Sequence, residues 1–301
     1  MTEVEGGDSP QQRYELLRAL GSLCLDSPSD TSAIAKALGL EPWSAADHTQ
    51  LFVLELPPYA SIHLGPEGKL GGEGADRVAG MWRAIGLEPP ADADHLGYLL
   101  ALYASLGEGE ISSQSPQAAR RLAHARRSLL FEHLWSWVPS YLDAVGDYEA
   151  GAHWAGLLRQ AIEAEVTAQP TPGELPAALV HAPAGLAEDM TRDELLDAVV
   201  APIQSGFVLT FSDLRRAGET VALGVRRGER RYALAAMLDQ EPTRILTWLA
   251  THASKWHERH LARQDPTSGT WGWWARRAQQ SAQVLARLAD SAQADAESHQ
   301  P

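Results

Sequence analysis

Apolar residues recur at intervals of three and four along almost the whole chain. That spacing suits helices that each bury one face. Tyr14, Leu17 and Leu20 form one stripe, and Leu16, Leu20 and Leu23 a second. Ser29–Leu40 reads as a short helix, with Asp30 or Ser32 to cap its start and Gly39 to end it. Val78, Met81, Trp82 and Ile85 share a face, and Gly86 is placed to stop that helix. Leu96, Leu99, Leu100, Tyr103 and Leu106 form the cleanest stripe. Ser115 and Pro116 read as N-cap and first helical residue. The long helix they open carries Leu122, Leu129, Leu130, Leu134 and Trp137, until Pro139 ends or kinks it. Asp147 is placed to cap a helix bearing Trp154, Leu158, Ile162 and Val166. Only Leu51–Leu56 and Phe207–Leu209 have strand composition, and two isolated runs do not make a useful sheet. The pattern predicts an all-α protein.

Pro170, Pro172, Pro176 and Pro183, with Gly173, interrupt the helical pattern. They divide the chain into a helical domain over 1–169, a Pro-rich linker over 170–185 and a C-terminal helical extension over 186–290. A disordered tail is expected over 291–301, where the sequence is polar. In the extension, Thr191-Arg192-Asp193-Glu194 fits a capping box. Thr210 or Ser212 can cap a helix containing Leu214, and Arg230–Leu238 is alanine-rich. Thr243 opens a helix with Ile245, Trp248, Leu249, His252 and Trp256. Trp271-Gly272-Trp273-Trp274 follows the turn-rich Pro266–Gly269. It is placed to dock the tail onto the first domain or to present an apolar surface.

Charge and cysteine usage narrow the function. The chain has a net charge of -14, and residues 1–170 hold 23 acidic against 11 basic residues. An acidic surface repels phosphate and attracts cationic segments, so nucleic acid is not expected as a partner. No apolar run reaches the ~18 residues that a membrane span needs. Met1–Arg13 lacks a basic region followed by an apolar one. The single cysteine, Cys24, excludes an internal disulfide and reads as a small core residue. These features predict a soluble cytoplasmic protein.

Catalytic patterns are missing. There is no Gly-x-Ser-x-Gly elbow and no phosphate-binding loop, and Gly65–Gly74 reads as a plain loop. His252, His257 and His260 fall on one predicted helix beside Glu258, but His252 and His257 stand roughly 140° apart around it. No metal site, catalytic residue or cofactor is therefore expected. The alternative of a helical DNA-binding transcriptional regulator rests on Thr31–Leu40 or on Arg226, Arg227, Arg230 and Arg231. Glu41-Pro42-Trp43 after Gly39 is a poor start for a recognition helix.

A dispersed set of motifs stands out. Leu51-Phe52 leads to Glu55-Leu56-Pro57-Pro58-Tyr59. Gly86-Leu87-Glu88-Pro89-Pro90 leads to Asp94-His95-Leu96 at a helix start. Phe131-Glu132-His133-Leu134 leads to Trp137 and Pro139. In order and spacing these resemble the TorD/DmsD/NarJ family of molybdoenzyme chaperones over roughly residues 10–165. The resemblance implies a TorD-like helical bundle that is not an enzyme. Its partner would be the precursor of a molybdopterin-dependent oxidoreductase, recognised through its twin-arginine signal peptide, its apoenzyme subunit, or both. The chaperone would assist cofactor insertion and assembly before export. Asp94-His95 matches the family's Asp-His pair, whereas His48 stands where the family has an aromatic residue. Asp94 can cap its helix or present a carboxylate to an arginine. Leu51, Phe52, Tyr59, Trp82, Leu99 and Tyr103, with Glu55 nearby in sequence, are candidates for an apolar groove, and each also suits core packing.

Overall fold

A computed structural model describes residues 9–263 and 269–298. These residues form helices and no β-sheet, and the chain ends in a long C-terminal helix. The only β-type pairing among them is a single bridge between Tyr59 and His95. The chain divides into two units. The first comprises 1–60 and 75–171, and the second comprises 61–74 and 172–301.

The first eleven helical segments run in this order: α1 Pro10–Leu25, α2 Pro28–Ala37, α3 Ala45–His48, a π-helical turn Thr49–Glu55, α4 Ala60–Leu64, α5 Gly72–Ala84, α6 Leu96–Ser112, α7 Pro116–Ser128, a second π-helical turn Leu129–Leu134, α8 Val138–Gly146 and α9 Glu149–Thr167. Ser9 and Gln12 form a capping box on α1, and the Ser115 hydroxyl accepts the Ala118 amide at the start of α7. Glycine sets the spacing of α1 on α6. A Cβ on Gly97 would lie 2.8 Å from the Gly21 carbonyl and 2.7 Å from Leu25 Cβ, so the backbones touch only because neither side chain exists. A buried polar network joins α1, α6, α7 and α9. Glu165, only 1% exposed, accepts from Arg13 at 2.6 Å and from the Tyr103 hydroxyl at 2.7 Å. Arg126 lies 3.4 Å from the same carboxylate and binds Glu110 at 2.9 Å. Each buried charge is thereby paired, as burial demands.

In the second unit follow α10 Ala177–Val180, α11 Arg192–Val200, α12 Pro202–Ser205, α13 Phe211–Thr220, α14 Arg230–Gln240, α15 Pro242–Leu261 and α16 Thr270–Ser298. Thr191 with Glu194, and Thr210 with Asp213, form capping boxes. Helices α15 and α16 pack together around Trp256, His260, Trp271 and Trp274, with the His260 and Trp271 rings stacked at 6.1 Å. Residues 65–74 belong to this unit, where Gln204 donates to the Pro66 carbonyl at 2.7 Å.

Several expectations are corrected. Leu51–Leu56 is not a strand. It winds as a π-turn, closed by the Leu56 amide donating to the Leu51 carbonyl at 2.8 Å. Leu51, Phe52 and Glu55 are buried while Val53 and Leu54 are 58% and 53% exposed, which is not the alternation of a strand. Phe207–Leu209 is not a strand either, and side chains take its carbonyls. His252 Nε2 lies 2.9 Å from the Val208 oxygen, and Arg230 donates to that of Leu209 at 2.6 Å. The helix opened by Pro116 passes after Ser128 into the π-helical turn Leu129–Leu134 and ends there, before Pro139, which instead sits in the first turn of α8. Asp147 ends α8 rather than capping α9. Residues 291–298 continue α16 and are not a disordered tail, while 299–301 lie outside the described residues. So do Met1–Asp8 of the expected leaderless start and Pro266–Ser268 of the expected turn.

Candidate functional site

The Pro57-Pro58-Tyr59 and Asp92–Leu96 segments are stitched together by their backbones. The Ala60 amide donates to the Asp94 carbonyl at 3.0 Å, and the Leu96 amide to the Pro58 carbonyl at 2.8 Å. The Tyr59 and His95 rings meet edge to face with centroids 4.8 Å apart. Trp82 on α5 closes the junction by donating its indole N–H to the Ala93 carbonyl at 3.2 Å. Asp94 and His95 are both only 5% exposed.

His95, not Asp94, is the N-cap of α6. Its Nδ1 accepts the Gly97 amide at 3.1 Å. That role needs a neutral ring. Burial supplies it, lowering the His95 pKa to about 4 against the opposite pull of the Asp92 and Asp94 carboxylates. Backbone hydrogen bonds and ring contacts thus join the two segments. Among the described residues, no group of three or more His, Cys, Asp or Glu is arranged to hold a metal ion.

The residues expected to form one groove are distributed. Tyr59, Trp82, Asp94 and His95 meet at the junction. Leu51 packs toward α9, where a Cβ on Gly151 would come within 2.9 Å of Leu51 Cδ2. Glu55 is buried and accepts from Gln50 at 3.0 Å and from the Tyr148 hydroxyl at 3.1 Å. Leu99 and Tyr103 are fully buried, and Tyr103 serves the Glu165 network. Phe52 packs edge to face on Trp43 and Trp154, at 4.9 Å and 5.3 Å between centroids.

Those two tryptophans line a pocket of about 350 Å³. Its walls are Leu23, Ala35, Leu40 and Pro42, and Glu41, Asp47, Glu149 and His153 stand around it. The Trp43 indole donates to the Ala150 carbonyl at 2.6 Å, which holds its ring in place. A second, larger cleft of about 1150 Å³ lies between the end of α5, α6 and α7. Sequence reasoning missed both. Glu41-Pro42-Trp43 had drawn notice only as a poor recognition helix. Arg120, Arg121, Arg126 and Arg127, with no acidic residue in α7, were a visible charge signal.

Two of the later arginines are held within the chain. Arg230 is engaged with Leu209, and Arg231 pairs with Asp193 at 2.9 Å and Asp197 at 2.5 Å. The three histidines of α15 each meet a backbone carbonyl, those of Val208, Ala275 and Gly206. No helix among the described residues is long and apolar enough to cross a membrane.

No curated protein matches the chain. A family match exists over residues 24–143, which include every residue of the expected site and the whole lining of the larger cleft. Helix α9 and the large 172–301 segment fall outside it. Over residues 24–143 the chain matches the family model of the nitrate reductase delta subunit, so this part of it is homologous to the TorD-like chaperones of redox enzymes, a homology that suggests a general role in maturation.

Proposed function

We propose that the chain is a cytoplasmic chaperone for the precursor of a molybdopterin-dependent oxidoreductase. It holds the apoenzyme subunit, through a cationic segment such as a twin-arginine signal peptide, while the cofactor is inserted before export. The observation that carries the reading is the small pocket, which combines an aromatic wall with Glu41, Asp47 and Glu149. An arginine is suited to it, because its planar fork pairs with carboxylates and its face stacks on an indole. Exposed ion pairs contribute only ~0–1 kcal/mol each. The apolar wall must therefore provide most of the affinity, with the carboxylates selecting the charge. In this reading Phe52 backs the pocket and Leu51 and Glu55 hold the π-turn behind it. Tyr59, Trp82, Asp94 and His95 position the start of α6, and Tyr103 anchors that helix from within.

Calorimetric titration with a twin-arginine signal peptide tests this. Wild type is expected to bind it, and Glu41→Gln with Glu149→Gln to weaken binding about tenfold. Equal affinity in the double variant, or no binding of peptide or precursor by wild type, would refute the proposal.

A further inference from the structure

The larger cleft has the opposite electrostatic character. Met81, Ile85 and Leu87 at the end of α5, Leu102 and Leu106 of α6 and Leu122 of α7 make it apolar. Arg120, Arg121 and His124 also line it, exposed on α7, and no carboxylate does. Arg120 and Arg121 have no ion-pair partner among the described residues. In a chain of net charge -14, this is a local reversal of sign.

We propose that this cleft docks an acidic amphipathic helix of a protein partner. Such a helix lays its apolar face on the floor formed by α5, α6 and α7. Its flanking Asp or Glu residues then meet Arg120, Arg121 and His124. The charge of the cleft argues for this occupant over a twin-arginine segment, which the same arginines would repel. Nucleic acid fits less well, because aliphatic side chains make up the floor and offer no stacking platform. Leu87, 45% exposed at the mouth, is where an apolar side chain of the partner first makes contact. The small pocket and this cleft bear opposite charge, so the two sites select different segments. The inference goes beyond the chaperone reading and stands without it.

Fluorescence anisotropy on the full chain provides the test. Two synthetic helical probes share one leucine face and differ only in their flanks, glutamate in one and lysine in the other. Wild type is expected to bind the glutamate probe at least about tenfold more tightly. Arg120→Glu with Arg121→Glu should reverse that order, and Leu87→Asp should weaken both probes. All three positions are exposed, and circular dichroism checks that the variants stay helical. The proposal is overturned if the lysine probe binds as tightly as the glutamate probe, or if the charge reversal leaves the glutamate probe unaffected. It is also overturned if sedimentation shows a dimer that Leu87→Asp abolishes, since a second copy would then be the occupant.

Discussion

His95 shows how a single side chain can join capping, burial and pH response. Its Nδ1 accepts the Gly97 amide only while the ring is neutral, and burial lowers its pKa from 6.5 to about 4. As pH falls below 6.5, the unfolded chain takes up a proton that the folded chain refuses until about 4. The stabilisation is therefore complete above 6.5 and is lost as pH falls toward 4. His133 behaves in the same direction, lowered to about 4 by burial and by the Arg77 charge. Asparagine caps helices well without titrating. His95→Asn should therefore reduce the loss of stability between about pH 7 and 5, on the order of 1–2 kcal/mol. Urea unfolding at both pH values measures this, and identical pH dependence in the two proteins would contradict it. The motif placed Asp94 and His95 together at the start of a helix. Which of the two caps it depends on the meeting with Tyr59, a residue far away in sequence.

At the scale of elements, close backbone approach and π-turns shape the first unit. Gly97→Ala on α6 would drive a Cβ against Gly21 and Leu25, with little room to relax, and should destabilise by about 1–3 kcal/mol. Gly156→Ala on α9 meets nothing within 4 Å and should instead stabilise by about 0.5–1 kcal/mol. Thermal and chemical unfolding of the two variants should move in opposite directions, and a matching shift would disprove the account of the α1–α6 seam. Helix starts at Ser115, Thr191 and Thr210 were legible because a cap and its partner lie within three residues. The π-turn at Thr49–Glu55 was not, since its composition is that of a buried strand and only the packing of Leu51 and Phe52 selects the wider turn.

At the scale of the whole molecule, the chain divides after Thr171, and residues 61–74 belong with the second unit. Gly68, with φ +61°, has room for no side chain there, since a Cβ would come within 2.6 Å of Ala201 Cα. A chain ended after Thr171 would strip residues 61–74 of these contacts. It should bind more of a hydrophobic dye and unfold at lower urea than the full chain, and unchanged behaviour on both measures would show that the first unit stands alone. The sequence by itself determined the helical class, the capped helix starts at Ser115, Thr191 and Thr210 and the pairing of Asp94-His95 with a helix start. Each rests on neighbours within three or four residues. Only the tertiary structure decided that Tyr103 and Leu99 are interior and that Trp43 and Trp154 share a pocket with three carboxylates. It alone placed the arginines of α7 beside an apolar cleft. Those outcomes depend on which helix faces meet across long loops, and the local periodicity of a single strand of sequence carries no such information.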